Sequence, residues 1–477
     1  MKYRNIIQTQ NYINGKFVSH TTKLPVYNKY SQELLAEIPL ANAHQIKDAI
    51  TSNASAFQIM RNYSAGKRAE FLETIYQKLS EKKEAFAELI ALEGGKPISY
   101  ARSEVMRGLD NIKTGIRETY QFSGEIVPID YLNGQGKTAY TIRKPLGAIL
   151  AITPFNFPLN LALHKIIPAI AIGTSITVKI PPQAPLTMLA FAKIIDEAGL
   201  PAGAVNILYA NNELAEKLVL DNTFKILSFT GSDKVGFMLK KLAENKKVFL
   251  ELGGNAAAIV DKTANLQRAA RKLVYGSFLN AGQICISTQR IFVLNNVYDE
   301  FLNYFLEETG KVKSGYMLDE DVINSSMISK SDVERIEKYI KSATLKGAKI
   351  LTGGHIADVR ANLFEPTVLT DTNNTMEIYE NEAFAPVVVI EKVKDFDEAV
   401  KKVNDSKYGL QAGVFTDSYE NIQKAIQDIE VGGVIFNESP GFRIDSMPYG
   451  GIKNSGIGKE GAKYVMREFT EEKLIVL

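Results

Sequence analysis

With 477 residues, 45% hydrophobic and 23% charged, the chain has globular composition and exceeds the size at which a single core stops growing, so two or three domains are expected. A formal net charge of +2, from 56 Lys+Arg against 54 Asp+Glu, gives no field that would hold nucleic acid or an anionic membrane; any anionic ligand must be held by local groups. One cysteine and four scattered histidines (His20, His44, His164, His355) exclude an intrachain disulfide framework, a CxxC-type metal site and an HxxxH pair, so no metal site is expected.

The opening MKYRNIIQTQNYINGKF lacks an apolar core of signal-peptide length, and no later run is long and unbroken enough to span a bilayer; the expectation is a cytoplasmic protein. From about Asn42 to Tyr120, Ile46, Ile50, Leu72, Ile75, Leu79, Phe86, Leu89 and Ile90 recur near the helical period, which predicts long helices. Between Ser123 and Arg143 two strand-like pieces flank Asn133-Gly134, a strong hairpin signal. Together with the terminal FTEEKLIVL they could form an edge sheet used for subunit pairing.

From Tyr140 apolar bursts end in turn residues: GAILAITPFNFP, GTSITVKIPPQAP, AVNILYA, KILSFTGS and KVFLELGG. They alternate with helical stretches such as LTMLAFAKIIDEAGLP, the rhythm of a mostly parallel α/β sheet. A second such region opens after Gly254, with AAAIV as a strand and a helix from about Leu266 to Leu279. The one literal G-x-G-x-x-G, Gly456 to Gly461, is rejected as a dinucleotide site, because too few residues follow it to complete a βαβ unit of about 30. It is expected to be a glycine-rich turn before a last helix and strand.

A better phosphate-binding junction is KILSFTGSDKVGF, where Thr230-Gly231-Ser232 separates a strand from a helix and backbone N–H groups could meet a pyrophosphate. A serine there is also an ordinary N-cap. In KVFLELGGN, Glu251 sits in an apolar strand before Gly253-Gly254, where burial would raise its pKa and suit it to general-base work; exposure at a strand end is the alternative. In FLNAGQICIST, Cys285 follows a small-residue turn. A lone cysteine is more often packing than nucleophile, but this surrounding reads as a loop. Asn156, in TPFNFP, could donate to an oxyanion or merely organise its own turn.

The segments Thr153-Pro-Phe-Asn-Phe-Pro158, Phe229-Thr-Gly-Ser232, Glu251-Leu-Gly-Gly254, Asn280-Ala-Gly-Gln-Ile-Cys285, Glu382-Ala-Phe384 and Pro448-Tyr-Gly-Gly-Ile-Lys453 occur in the order found in the aldehyde dehydrogenase superfamily, which the chain resembles over essentially its whole length. The resemblance implies two Rossmann-like α/β domains with a small β oligomerisation extension. Residues 1–122 and 146–252 would bind NAD(P), 253–453 would carry the nucleophile, and 123–145 with 460–477 would form the extension. It further implies Cys285 as nucleophile, Asn156 with the Cys285 N–H as oxyanion donors, and Glu251 as the base that activates water against a thioester. For the cofactor it implies Thr153, Pro154, Phe155, Lys179, Pro182, Thr230, Gly231, Ser232, Glu251, Leu252, Gly253, Glu382 and Phe384. Lys179 would serve the adenosine ribose, Ser232 the pyrophosphate, and Glu382 with Phe384 the nicotinamide end. Glu471, in FTEEK, aligns with an acidic residue proposed as a second base.

Relatives that prefer NAD commonly carry Lys-Pro-Ser-Glu where this chain has Lys179-Ile-Pro-Pro182, so the carboxylate that would repel a 2′-phosphate is replaced and NADP⁺ is expected to be accepted. The stretch Arg443-Ile-Asp-Ser-Met-Pro448 is similar to that of lactaldehyde and phosphonoacetaldehyde dehydrogenase-like members. With Arg107 and His164 it points to a small hydroxylated or anionic aldehyde, although Arg443 could instead only pair with Asp445. A homodimer or homotetramer is expected. Transfer of the acyl group to coenzyme A is a rival outcome that the presence of Glu251 argues against, and a non-catalytic scaffold is a second.

Overall fold

A computed structural model describes residues 2–477. Helices Ala43–Met60, Ala65–Glu81, Lys83–Gly94 and Ile98–Gln121 (α1) fill the stretch with helical apolar spacing. The Asn42 side chain accepts the Gln45 N–H while Gln45 accepts the Asn42 N–H, and Ser64 caps the next helix; caps of this kind are worth about 1 kcal/mol each.

Ala148–Ile152 (β1), Ile176–Lys179 (β2), Val205–Leu208 (β3), Phe224–Thr230 (β4) and Lys247–Glu251 (β5) are parallel and stand in the order β3-β2-β1-β4-β5. The chain reverses its direction of travel between β1 and β4, and open sheets of this kind bind ligands outside the carboxyl ends of the strands at that switch. Thr153 follows β1 and Thr230 ends β4, so both stand at that crevice. Asn11–Ile13 and Lys16–Val18 extend one edge, and Gly456–Ile457 closes the other, antiparallel to β5. The literal G-x-G-x-x-G is therefore an edge strand and a turn leading into helix Ala462–Glu468.

Between β1 and β2 lies helix Asn160–Ile172 (α2), every residue of which is buried, His164 and Lys165 included. Ionisable groups in such a place must be paired, and these two reach into the site described below. Asp233–Leu242 (α3) follows β4 directly.

In the second sheet, Ala256–Val260 (β6), Thr288–Leu294 (β7), Thr367–Thr370 (β8), Val387–Val393 (β9), Gln411–Phe415 (β10) and Gly433–Phe436 (β11) run parallel in the order β8-β9-β7-β6-β10-β11, with Lys349–Thr352 antiparallel at the edge. Helix Leu266–Phe278 (α4) crosses from β6 toward the cysteine loop.

The Asn133-Gly134 expectation needs correction. Ile126–Val127 and Ala139–Pro145 do pair antiparallel, and Thr470–Val476 lies along the latter. They are joined, however, by residues 128–138 with a short 3-10 turn at Leu132–Gly134, not by a two-residue turn. Asp130 accepts the Gly136 N–H and closes a wider loop, and it is Leu132, at φ 48°, that takes the left-handed conformation. Among the described residues no helix is long and apolar enough to cross a membrane.

Candidate active site

The cysteine loop is held in a costly shape. Asn280, Ala281 and Gly282 all adopt left-handed φ (55°, 53° and 65°), which costs about 1–3 kcal/mol at a residue other than glycine and persists only where the surroundings enforce it. A Cβ on Gly282 would stand 2.0 Å from the Ala385 carbonyl oxygen, and one on Gly254 2.4 Å from that of Cys285, so both glycines permit close approach of segments that meet at the thiol.

Cys285 Sγ lies 2.9 Å from Tyr449 Oη, in an apolar cluster with Phe157, Leu161, Leu279, Ile284, Ile286 and Leu410. Burial pushes the thiol up to about 12, the Glu251 charge adds to the rise, and the Tyr449 hydroxyl and the Arg443 charge oppose it. At rest the sulfur therefore keeps its proton, and nucleophilic attack requires a group to take it.

Asn156 is placed by the loop after β1. Its Nδ2 donates to the Gln283 carbonyl at 3.0 Å, which ties it to the cysteine loop; an amide has a second N–H, free to serve an oxyanion. The Cys285 N–H has no protein acceptor among the described residues. Asn156→Ala is expected to lower kcat by roughly 100- to 1000-fold with the cofactor KM little changed, the usual cost of one lost oxyanion donor. Steady-state kinetics would check this, and a loss below tenfold would remove Asn156 from that role.

Glu251 ends β5 and is 4% exposed, with Oε1 lacking any partner among the described residues. Burial raises its carboxyl well above the carboxylate range, the neighbouring Glu460 adds to this, and Arg443 and Lys165 oppose it. Glu460 is better served: Lys165 Nζ lies 3.2 Å from Oε1 and Arg443 Nη2 3.0 Å from Oε2. Although burial disfavours its charge, these cations hold Glu460 ionised. Of two adjacent carboxyls, the one without cations is thus the one that holds a proton or gives it up during reaction.

Beside this pair, Arg443 stacks 3.7 Å over the Tyr449 ring. Asp445 receives both fork nitrogens of Arg107, Nε at 2.9 Å and Nη2 at 2.8 Å, and sits 2.8 Å from His164 Nε2. Arg107 arises from α1 and lies against the Phe157 ring.

At the β1/β4 switch a second constellation forms. The hydroxyls of Thr153 and Thr230 are buried without a partner among the described residues. Ser232 is the N-cap of α3, yet its side chain makes no cap bond. Lys179, at the end of β2, has no acid partner among the described residues, and burial pushes its amine down to about 8. Glu382 accepts the Gly254 N–H at 3.0 Å and is pushed up to about 7 by burial. Phe155 and Phe384 meet edge to face at 5.9 Å. Unspent hydroxyls at a helix N-terminus, a lone amine and two aromatic rings fit an extended phosphorylated ligand such as a dinucleotide.

The sequence pattern of the aldehyde dehydrogenase family matches residues 17–475. This chain belongs to that family. It is 41% identical to the 3-sulfolactaldehyde dehydrogenase of Priestia aryabhattai over 468 residues, 98% of this chain and 97% of the relative. Among solved structures it is similar to aldehyde dehydrogenase 21 of Physcomitrella patens in complex with the reaction product succinate (TM-score 0.96, 38% identity, 98% of each chain). It is similar also to a glyceraldehyde-3-phosphate dehydrogenase of Methanocaldococcus jannaschii complexed with NADP (TM-score 0.92, 37% identity, 96% of this chain and all of that one). The protein is thus an NAD(P)-dependent aldehyde dehydrogenase, and the aldehyde dehydrogenase-like α/β fold expected from sequence is that of the family.

Within this aldehyde dehydrogenase, Cys285, Glu251 and Asn156 come together. Arg107, His164 and Arg443 also converge, but around carboxylates: Arg443 pairs chiefly with Glu460 and is 3.7 Å from Asp445, which the Arg107 fork holds more closely. Glu471 is not brought to the thiol. It lies exposed opposite Lys144 and pairs at 3.7 Å with Lys247, at the far end of β5 from Glu251, roughly 13 Å away at strand rise. The second carboxyl beside Glu251 is Glu460, inside the glycine-rich decoy. Tyr449 and Lys165 were also missed. A lysine in the middle of the apolar run NLALHKIIPAIAI was the available signal, since it had to find a buried acid.

Proposed function

We propose that this aldehyde dehydrogenase oxidises a small hydroxylated or anionic aldehyde to its carboxylic acid through a thioester on Cys285, which water hydrolyses with Glu251 as general base. The observation that carries this is a half-buried thiol within the electrostatic reach of a buried carboxyl that has an unpartnered oxygen among the described residues. Sulfur attacks the carbonyl carbon as its proton passes to the Glu251 carboxylate, and the new oxyanion accepts from Asn156 and the Cys285 N–H. Nicotinamide, when bound, supplies the hydride acceptor. Once the proton taken from the thiol has passed on to solvent, Glu251 takes a proton from the water that cleaves the thioester and returns it to the leaving sulfur, releasing the acid and restoring the thiol.

Two arginines beside the site support the substrate class, and the relatives named above act on a sulfonated hydroxyaldehyde or carry a dicarboxylate product. A cofactor domain of residues 1–122 and 146–252, a nucleophile domain of 253–453 and an extension of 123–145 and 460–477 go with the reading. So does a homodimer or homotetramer paired through the exposed Ile126, Leu474 and Val476 of the three-stranded sheet.

NADP⁺ is expected to support turnover, because Pro182 offers no charge against a 2′-phosphate and the Lys179 amine gains an anion. The test is an aldehyde panel with each cofactor and no coenzyme A. Reduced cofactor is expected from both, and a strict need for coenzyme A, or activity with NAD⁺ alone, would overturn the respective point.

A further inference from the structure

Four cationic or polar side chains near the active site converge on one protein carboxylate. Asp445 is 4% exposed and accepts from Arg107 Nε (2.9 Å) and Nη2 (2.8 Å) and from Asn160 Nδ2 (3.2 Å); His164 Nε2 is 2.8 Å away and Arg443 Nε 3.7 Å. Its grip on Arg107 is bidentate, the arrangement that guanidinium groups use for carboxylate, sulfonate or phosphate ligands. Around it donor and acceptor capacity is unspent: Arg443 Nε, His164 Nδ1 and Asn160 Oδ1 are buried without a partner among the described residues.

The cluster reaches the reacting sulfur through aromatic rings. Arg443 stacks on Tyr449, whose hydroxyl meets Cys285 Sγ, and Arg107 lies against Phe157 in the same apolar cluster as the thiol.

Resting on the substrate class proposed above, we infer that Asp445 is a specificity-determining residue: a resident carboxylate that competes with the substrate's tail for Arg107 and so holds back anionic aldehydes relative to neutral hydroxylated ones. A tail anion must share the fork with Asp445 and approach its charge, whereas a neutral hydroxyl can use the unspent Arg443 Nε and Asn160 Oδ1.

The test is the ratio of kcat/KM for succinate semialdehyde to that for lactaldehyde. Asp445→Asn keeps the shape and removes the charge, and the ratio is expected to rise by about tenfold or more, with succinate becoming a tighter competitive inhibitor. Asp445→Ser reads the same ratio if the asparagine variant does not fold. A ratio that stays level or falls would show that Asp445 serves only to position Arg107, and would overturn the inference. Arg107→Gln and Arg443→Gln separate this from the underlying reading: if both leave the wild-type ratio unchanged, the substrate class itself fails, whereas if they lower it and Asp445→Asn does not raise it, only the role of Asp445 fails.

Discussion

Cys285→Ala is expected to lower kcat/KM for aldehyde oxidation by about 10⁴-fold or more while cofactor binding and the thermal unfolding midpoint stay close to wild type. Covalent catalysis through a thioester has no substitute once the sulfur is gone, and deleting a nucleophile commonly costs this much. The fold should tolerate the change because the thiol packs as a small apolar group among Phe157, Leu161, Ile284 and Tyr449 and supports only one side-chain hydrogen bond. The Tyr449 hydroxyl loses its partner, a cost of about 1 kcal/mol. Retention of more than a few per cent of activity, measured by cofactor reduction, would show that no covalent step is needed.

Glu251→Gln is expected to separate the two halves of the reaction. Some base or solvent must still accept the thiol proton, so the first turnover slows, but hydrolysis of the thioester loses the carboxyl that has no cation pinning it and is free to take the water's proton. The result is a burst of up to one reduced cofactor per chain followed by a steady rate roughly 100- to 10,000-fold below wild type. The substitution is nearly isosteric and removes a charge that burial and Glu460 already disfavour, which favours an intact fold. The sign of the pH effect follows: a base must be deprotonated, so wild-type kcat should climb with pH through the raised pKa of Glu251, above the ordinary carboxylate range, and the glutamine variant should lose that limb. Rapid-quench detection of acylated protein checks the first point, and an undiminished steady rate would contradict it.

Much of the framework was readable because local patterns and the fold agree. The alternation of β-branched bursts with helical runs after Tyr140 became the parallel strands β1–β5, and the small-residue turn before Cys285 became a left-handed loop. The glycine fingerprint, expected to be only a turn before the last helix and strand, is an edge strand and a turn. Failures came where a residue's meaning depends on what lies opposite it across the fold. Nothing near Glu460 in sequence shows that Lys165 and Arg443 flank it, and Glu471, with a similar acidic neighbourhood, faces outward on an edge strand. Asn133-Gly134 misled because Asp130 closes a longer loop. For Arg443 the expected ion pair with Asp445 is present at 3.7 Å, but Glu460 is its nearer partner and Asp445 is held more closely by Arg107.

Because the chain has one cysteine, the central claim can be tested without ambiguity of site. The measurement is residual dehydrogenase activity against moles of iodoacetamide incorporated per chain, with the label located by mass spectrometry. Activity is expected to fall in direct proportion to label on Cys285, reaching zero at one equivalent. A fully alkylated Cys285 with activity intact would contradict a thioester mechanism at that residue.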